Sequence, residues 1–163
     1  MTTGLYTVAL RGLPLPPSVN DAYRNLQNHG RVKTYKHRVF EGACASWAIQ
    51  NRKAVEAAKA LWEQAGPGIG LSAEYVFYFN PERVLMKQDT HPKHGGPKKK
   101  KKNESKKLDV SNYVKIVEDQ ICKAVGHDDA YFWQVKANKD VAAPPGEGER
   151  VDVLLSLVAH PVV

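Results

Sequence analysis

Apolar residues recur between positions 110 and 125 with the period of a half-buried helix. At about 100° per residue they fall within an arc of roughly 120°, and they are Val110, Tyr113, Val114, Val117, Ile121, Ala124 and Val125. Asp109, Asn112, Lys115 and Asp119 fall together on the opposite side. The pattern therefore predicts an amphipathic helix with Asp109 at its start, followed by the acidic pair Asp128–Asp129.

Short runs rich in β-branched and aromatic residues predict four strands elsewhere in the chain. These strands are expected at Leu5–Arg11, Ser72–Phe79, Ala130–Asn138 and Val151–Ala159. The prolines between residues 13 and 18 exclude regular structure there, because proline fixes φ and lacks an N–H donor. Residues 20–33 are expected to form an ordered loop with a turn at Gly30.

A long helical region is predicted from Thr34, as its N-cap, to about Ala65. Gly42 and Asn51 are the positions at which this region would bend or divide. Its candidate core contacts are Phe40, Cys44, Trp47, Val55, Ala58 and Trp62.

The predicted elements follow the order β-α-β-α-β-β. This order indicates an α/β fold in which helices pack on a mixed β-sheet. At 163 residues, the chain has the length of a single domain that spans residues 1–163 and buries its own core.

The positive charge of the chain is concentrated in one segment. The formal net charge is +7, yet residues 83–107 alone contain ten Lys or Arg residues against two acids. This composition predicts a flexible basic loop over about residues 80–107, in which Lys98–Lys102 form an unbroken run. Such a run is typical of a segment that binds nucleic acid, although a loop that only makes the protein soluble can have the same composition.

Several classes of protein are excluded by motifs that the sequence lacks. It has no apolar run of about 18 residues and no signal-peptide pattern, so a cytoplasmic protein without membrane contact is expected. Cys44 and Cys122 lack CxxC spacing, which indicates neither a disulfide framework nor a zinc site. The histidines show no HExxH spacing, and the glycines form no dinucleotide, phosphate-loop or hydrolase motif.

Asp109, Asp128 and Asp129 are the candidate ligands of a hard divalent cation. Hydrolysis of a phosphodiester uses such a cation to polarise the phosphoryl group, and Mg²⁺ takes carboxylate oxygens and waters as ligands. Lys115 is a candidate for contact with the phosphate. An alternative without a metal remains open, in which Asp109 caps the helix and Asp128–Asp129 form a solvated turn.

Three blocks of the chain form a specific combination. The first is LPLPPSVNDAYR at residues 13–24, after the first strand. The second, at residues 108–119, reads LDVSNYVKIVED, and the third is Asp128–Asp129 with Lys139 ten residues later. In these blocks the chain resembles the RusA family of Holliday-junction resolvases, common in phages and prophages. The second block is similar to the family's D-x-D-N-x-x-K-x-x-x-D helix, and the order holds over nearly the whole chain.

The resemblance implies a small, homodimeric endonuclease that depends on Mg²⁺, with Mn²⁺ as a substitute. Its expected substrate is branched DNA, four-way junctions in particular, cut by paired symmetric incisions in a bacterial or phage-infected cell. Carried over by position, Asp109, Lys115 and Asp129 are catalytic, and Asp109, Asp128 and Asp129 bind the metal. The residues expected to contact DNA are Lys98, Lys99, Lys100, Lys101, Lys102, Lys106, Lys107, Arg24 and Lys139.

Ser111 stands where the family has the second acid of its D-x-D-N motif. A serine is a weak, neutral ligand, so Mg²⁺ binding should weaken, although phosphate and water oxygens can complete the shell. Two alternatives therefore stand beside the nuclease. One is a branched-DNA-binding protein with little or no catalysis, and the other is an accessory nucleic-acid-binding domain whose acids are structural.

The two equivalent scissile strands of a four-way junction also favour a symmetric dimer.

Overall fold

The computed structural model describes residues 7–28, 30–80, 110–141 and 148–159, and the predicted basic loop beyond Asn80 lies outside these ranges. The described strands are β1 (Thr7–Pro14), β2 (Tyr23–Leu26), β3 (Gly30–Lys33), β4 (Ile69–Phe79), β5 (Phe132–Val141) and β6 (Arg150–Ala159). The described helices are α1 (Val19–Ala22), α2 (Tyr35–Gln50), α3 (Arg52–Glu63) and α4 (Ser111–Val125). A 3₁₀ turn at Asp129–Tyr131 leads from α4 into β5.

Four of the described strands form one mixed sheet in the order β1-β6-β4-β5, while β2 and β3 pair as a separate antiparallel hairpin. β4 and β5 run parallel, with α4 between them in the chain, and β6 runs antiparallel to both β1 and β4. The predicted α/β class, with helices and a mixed sheet, is therefore confirmed.

The core lies on one face of this sheet. Alternate residues of β4 from Leu71 to Phe79 are buried, whereas the residues between them are only half-buried. Because side chains alternate between the two faces of a strand, the helices cover the face that carries the buried set. Phe40 of α2, Trp62 of α3 and Ile116 of α4 belong to the same buried cluster.

The predicted helical region after Thr34 is confirmed. The Thr34 side-chain oxygen accepts a hydrogen bond from the backbone N–H of His37 at 3.4 Å. Asn51 divides the region into α2 and α3, whereas Gly42 lies within α2. Of the predicted core contacts, Val55 is partly buried, and the buried ones are Phe40, Cys44, Trp47, Ala58 and Trp62.

Of two predictions for the N-terminal part of the chain, one is confirmed only in part and the other is wrong. Residues 15–18 form no helix or strand, as the prolines predict, whereas β1 continues through Leu13 and Pro14, which pair with Val151 and Arg150. β1 is an edge strand, and a proline is tolerated at an edge because its missing N–H need not interrupt a ladder. Residues 20–33 form most of α1 and the β2–β3 hairpin instead of an ordered loop.

None of the helices in the described ranges is both long and apolar enough to cross a membrane. Cys44 of α2 and Cys122 of α4 are free thiols. Burial raises the pKa of each to about 12, so neither thiol is a thiolate nucleophile near neutral pH.

Candidate active site

Helix α4 ends in a reversal that returns the chain to the helix's exposed side. Gly126 follows the helix with a φ of 74°, in the left-handed region that glycine adopts without steric cost. The N–H groups of Gly126 and His127 both donate to the carbonyl oxygen of Cys122, at 2.8 and 3.2 Å. This reversal brings Asp129 into contact with Lys115.

The Lys115 ammonium is surrounded by three carboxylates. Its Nζ lies 3.2 Å from Asp119 Oδ1 and 3.4 Å from Glu118 Oε1, and it donates to Oδ2 of Asp129. Glu118 and Asp119 reach the lysine because residues three and four positions apart are neighbours on a helix. Asp129 comes from the 3₁₀ turn beyond the helix. We call Lys115, Glu118, Asp119 and Asp129 the Lys115 cluster.

The charges of the Lys115 cluster alter one another's protonation. The hydrogen bond from Lys115, followed by one with Asp128, lowers the pKa of Asp129, and the bond to Asp129 raises the pKa of Lys115. A carboxylate with a lowered pKa stabilises the fold above its ordinary pKa, and this contribution is lost as the pH falls through the lowered value. Because the Asp129 side chain is 39% exposed, solvent screening keeps the contribution small.

The acidic pair Asp128–Asp129 divides between two roles. Asp128 caps the 3₁₀ turn, where its Oδ1 accepts a hydrogen bond from the Ala130 N–H at 3.1 Å. Its backbone carbonyl accepts a second bond from Nε1 of the buried Trp62, also at 3.1 Å. The sequence analysis gave a turn at Asp128–Asp129 as the alternative to a metal site. This turn is present in the structure, and it positions Asp129 against Lys115.

An open groove of about 510 Å³ borders the Lys115 cluster. Its lining residues are Val110, Ser111, Val114, Lys115 and Glu118 on the α4 side, and Val135 and Ala137 on β5. Apolar walls with a few charged groups are typical of a ligand site. Ser111 lies one helical turn before Lys115 on this wall and faces the groove.

The structure describes only two of the residues predicted to contact DNA. Lys139 is exposed on β5, two residues beyond Ala137 and therefore on the same face of the strand. Arg24 is exposed on β2, in the hairpin, and takes no part in the ion pairs of the Lys115 cluster. The other residues predicted to contact DNA lie outside the described ranges and stay predictions: Lys98–Lys102, Lys106 and Lys107. Asp109, predicted to be catalytic and to bind the metal, also lies outside these ranges.

Glu118 is a member of the cluster that the sequence analysis missed. The residue is buried, at 8% exposure, and burial is the largest of the causes that raise its pKa. The available signal was its position four residues after Val114, at the border of the apolar stripe. An acid on the buried side of a helix needs a partner, and Lys115 is that partner.

Among the described residues, no group of three or more His, Cys, Asp or Glu side chains is arranged to hold a metal ion. Asp109, one of the predicted ligands, is not among them. The carboxylate oxygens of Glu118, Asp119 and Asp129 are of the kind that Mg²⁺ prefers, but in this structure they surround the Lys115 ammonium.

No protein-family model matches the chain, and no curated protein matches it at significant similarity. The function of the Lys115 cluster therefore has to follow from its own chemistry and from the sequence blocks described above.

Proposed function

We propose that this chain is a Mg²⁺-dependent endonuclease that hydrolyses phosphodiester bonds in branched DNA, in particular in four-way junctions. The observation that carries the proposal is the contact between Lys115 and Asp129. The resemblance to the RusA family assigns both residues to catalysis. They are 14 positions apart in the sequence and meet at the border of one groove, as two groups that act on one phosphate must.

Each residue of the proposed site has its own task. Asp109 and Asp129, with Asp128 next to Asp129 in the chain, would hold the Mg²⁺ through carboxylate oxygens. When bound, the cation polarises the phosphoryl group and promotes its attack by water. Lys115 would contact a phosphate oxygen and offset the negative charge that develops on it. The apolar walls of the groove would seat the adjoining sugar or base.

The charge distribution supports a nucleic-acid substrate. The basic surplus of residues 83–107 directly precedes α4 in the chain, and Lys139 adds a positive charge on the groove side of β5. Cations in such a position contact the phosphate backbone without reading base sequence. A symmetric homodimer would present two such sites to the two equivalent strands of a four-way junction.

The direct test is the cleavage of a mobile four-way junction and of a linear duplex of the same sequence, each with and without Mg²⁺. We expect paired incisions in the junction with Mg²⁺, or with Mn²⁺ in its place, and no cleavage in chelator. The linear duplex should stay intact. A junction that remains uncut at every metal concentration contradicts the nuclease, and equal cleavage of both substrates contradicts its structure specificity.

A branched-DNA-binding protein with little catalysis is the second candidate, and Ser111 is the observation that favours it. This residue lines the groove at the position where the family has an acid. The proposed cation would therefore have one anionic ligand fewer, and its affinity would fall. Both candidates bind the junction, and only the nuclease cuts it.

Ser111→Asp should lower the Mg²⁺ concentration needed for half-maximal cleavage and raise the maximal rate. Position 111 is the first residue of α4, where the helix dipole favours a negative charge. In chelator, repulsion from the other acids should make the variant less stable than wild type, so it should gain more stability from Mg²⁺. Cleavage and thermal midpoints across a Mg²⁺ titration measure both effects. Identical metal dependence of the two proteins would show that position 111 does not reach the cation.

Replacement of Lys98–Lys102 by Gly and Ser should weaken junction binding more at low salt than at high salt. Each phosphate contact contributes up to ~0.9 to the slope of log K against log salt on duplex DNA. Five full contacts would correspond to roughly 4 to 5 units of slope, and partial engagement of the run to about 2. Binding isotherms at several salt concentrations measure the slope. An unchanged slope would mean that the lysine run makes no phosphate contacts and only keeps its loop in solvent.

A further inference from the structure

The β2–β3 hairpin has a concentration of positive charge that is separate from the basic segment at residues 83–107. Residues 23–38, which span the hairpin and the first turn of α2, contain five Lys or Arg residues and no Asp or Glu. Outside these two segments, nine Lys or Arg residues stand against fifteen acids. The five cations of the hairpin segment are all exposed: Arg24, Arg31, Lys33, Lys36 and Arg38. The hairpin is therefore a basic surface on a chain whose remainder has an acidic balance.

Three of these five cations have no acidic partner. The two lysines form ion pairs with neighbouring carboxylates. Three guanidinium groups make neither an ion pair nor a side-chain hydrogen bond with any residue that the structure describes, and they belong to Arg24, Arg31 and Arg38. A guanidinium is always charged, and its planar fork of N–H donors matches the oxygens of a phosphate. These arginines are available to an anionic partner.

Arg31 is held in place by an aromatic ring instead of an acid. Its Cζ lies 4.5 Å from the centre of the Tyr23 ring. Both side chains lie on the same face of the hairpin, because Asn25, the partner of Arg31, is two positions from Tyr23. The Tyr23 ring lies 5.0 Å from the ring of the buried His37 on α2. A cation over an aromatic face is oriented without being neutralised, so Arg31 keeps its charge for another contact.

The base of the hairpin is closed and fixed to the helix of the candidate site. The N–H of Thr34 donates to the carbonyl oxygen of Ala22 at 2.9 Å, and the Thr34 hydroxyl donates to that of Asp21 at 2.6 Å. Ala22 is fully buried. α1 precedes the hairpin and α2 follows it, and both helices contact α4, which contains Lys115. The exposed strands are therefore held at a defined position relative to the Lys115 cluster.

We propose that the β2–β3 hairpin binds the phosphate backbone of a duplex arm of the DNA substrate, with Arg24 and Arg31 as its main contacts. The inference rests on the proposed function for the identity of the polyanion and adds a second binding element to it. A two-stranded ribbon is narrow enough for the major groove of B-DNA. Arg24 and Arg31 lie on opposite faces of this ribbon, because Arg24 pairs with Val32, the neighbour of Arg31.

DNA fits this charge distribution better than an acidic protein does. Two basic segments of one chain, the hairpin and residues 83–107, suit a polyanion that is long enough to reach both. Contacts to phosphate position a protein on a duplex without reading its sequence. The hairpin would therefore orient an arm of the junction beside the groove and would add no base preference.

Binding of a four-way junction and of a linear duplex in chelator tests the hairpin without cleavage. The double variant Arg24→Gln/Arg31→Gln removes two charges from exposed side chains. Each phosphate contact contributes up to ~0.9 to the slope of log K against log salt, so the slope should fall by up to ~1.8 and the affinity at low salt by about tenfold or more. A wild-type slope in this variant overturns the proposal.

Two further double variants serve as controls. Lys53→Gln/Lys59→Gln removes two exposed charges from α3 and should bind both DNAs like wild type. An equal loss of slope in this variant overturns the proposal, because net charge alone would then explain the effect. Arg24→Lys/Arg31→Lys keeps both charges and should keep most of the slope. If it loses as much slope as the glutamine variant, the charge of the hairpin is not what binds DNA, and the proposal fails.

Junction cleavage by wild type in Mg²⁺ separates the failure of this inference from the failure of the proposed function. If wild type cuts and Arg24→Gln/Arg31→Gln keeps the wild-type salt slope, the role of the hairpin is wrong and the nuclease stands. If the glutamine variant loses slope and wild type cuts no DNA, the hairpin binds DNA and the nuclease is wrong. A wild-type protein that binds neither DNA overturns the role of the hairpin and favours an acidic protein as its partner.

Discussion

Asp129→Asn should abolish cleavage of a four-way junction while junction binding stays intact or becomes tighter. The substitution removes an anionic ligand of the proposed cation, and it also removes the acid in contact with Lys115. Binding should not suffer, because one negative charge next to the DNA backbone is lost. We expect cleavage to slow by about a hundredfold or more, since metal-assisted phosphoryl transfer depends on the cation that this acid holds. Single-turnover cleavage in Mg²⁺ and binding in chelator measure the two effects separately.

Asp140→Asn is the matched control for this prediction. Asp140 is exposed near the end of β5 and accepts a hydrogen bond from the Val141 N–H at 2.7 Å, which asparagine can accept equally well. This variant should therefore cut like wild type. Cleavage at the wild-type rate by the Asp129→Asn protein would show that Asp129 is not part of the site. The same substitution at Asp109 is expected to act as it does at Asp129.

Lys115→Met should also abolish cleavage, and in addition it should destabilise the protein at neutral pH. Methionine keeps much of the aliphatic length of lysine and removes the ammonium. Glu118, Asp119 and Asp129 would then repel one another without a compensating cation, and the pKa values of Glu118 and Asp129, which Lys115 lowers, should rise. An acid with a raised pKa in the folded state costs stability when ionised, and this cost disappears as the pH falls and the acid takes up its proton. The deficit relative to wild type should therefore shrink at acidic pH.

Lys123→Met is the control for this second prediction, because Lys123 is an exposed lysine in the last turn of the same helix. It should change cleavage little. Thermal unfolding at several pH values in chelator, together with junction cleavage in Mg²⁺, compares the two variants. Equal cleavage by Lys115→Met and Lys123→Met would exclude a catalytic role for Lys115.

The periodicity of α4 predicts only part of its buried surface. The stripe residues that the structure buries are Tyr113, Val117, Ile121 and Val125. Ile116 and Gln120 lie outside the predicted stripe and are buried as well. The additional burial arises because α4 packs against α2 and α3 as well as lying over the sheet. A pattern along one helix shows the centre of its buried side, and the width of that side depends on neighbours that the pattern does not contain.

Lys115 and Asp129 could be predicted from the sequence as site residues, but the contact between them could not. The spacing of Asp128 and Asp129 does not indicate which of them meets Lys115. That outcome depends on the 3₁₀ turn, in which one acid caps the backbone and the other projects toward the helix. Glu118 was missed for a similar reason, since a single acid beside an apolar stripe resembles a solvated charge until its burial is known. The β2–β3 hairpin has four-residue strands of mostly polar composition, too short for alternation to be visible.

Strand β5 is the outermost described strand on its side of the sheet, and most of its residues are exposed. An open strand edge can act as a template for another strand, and charged residues on the edge oppose such pairing. Lys136 and Lys139 pair in register with Glu74 and Phe77 of β4, which lie on opposite faces of the sheet. A second copy aligned along this edge would therefore bring lysines together on both faces. Because salt screens this repulsion, concentrated salt should favour self-association of the protein through β5.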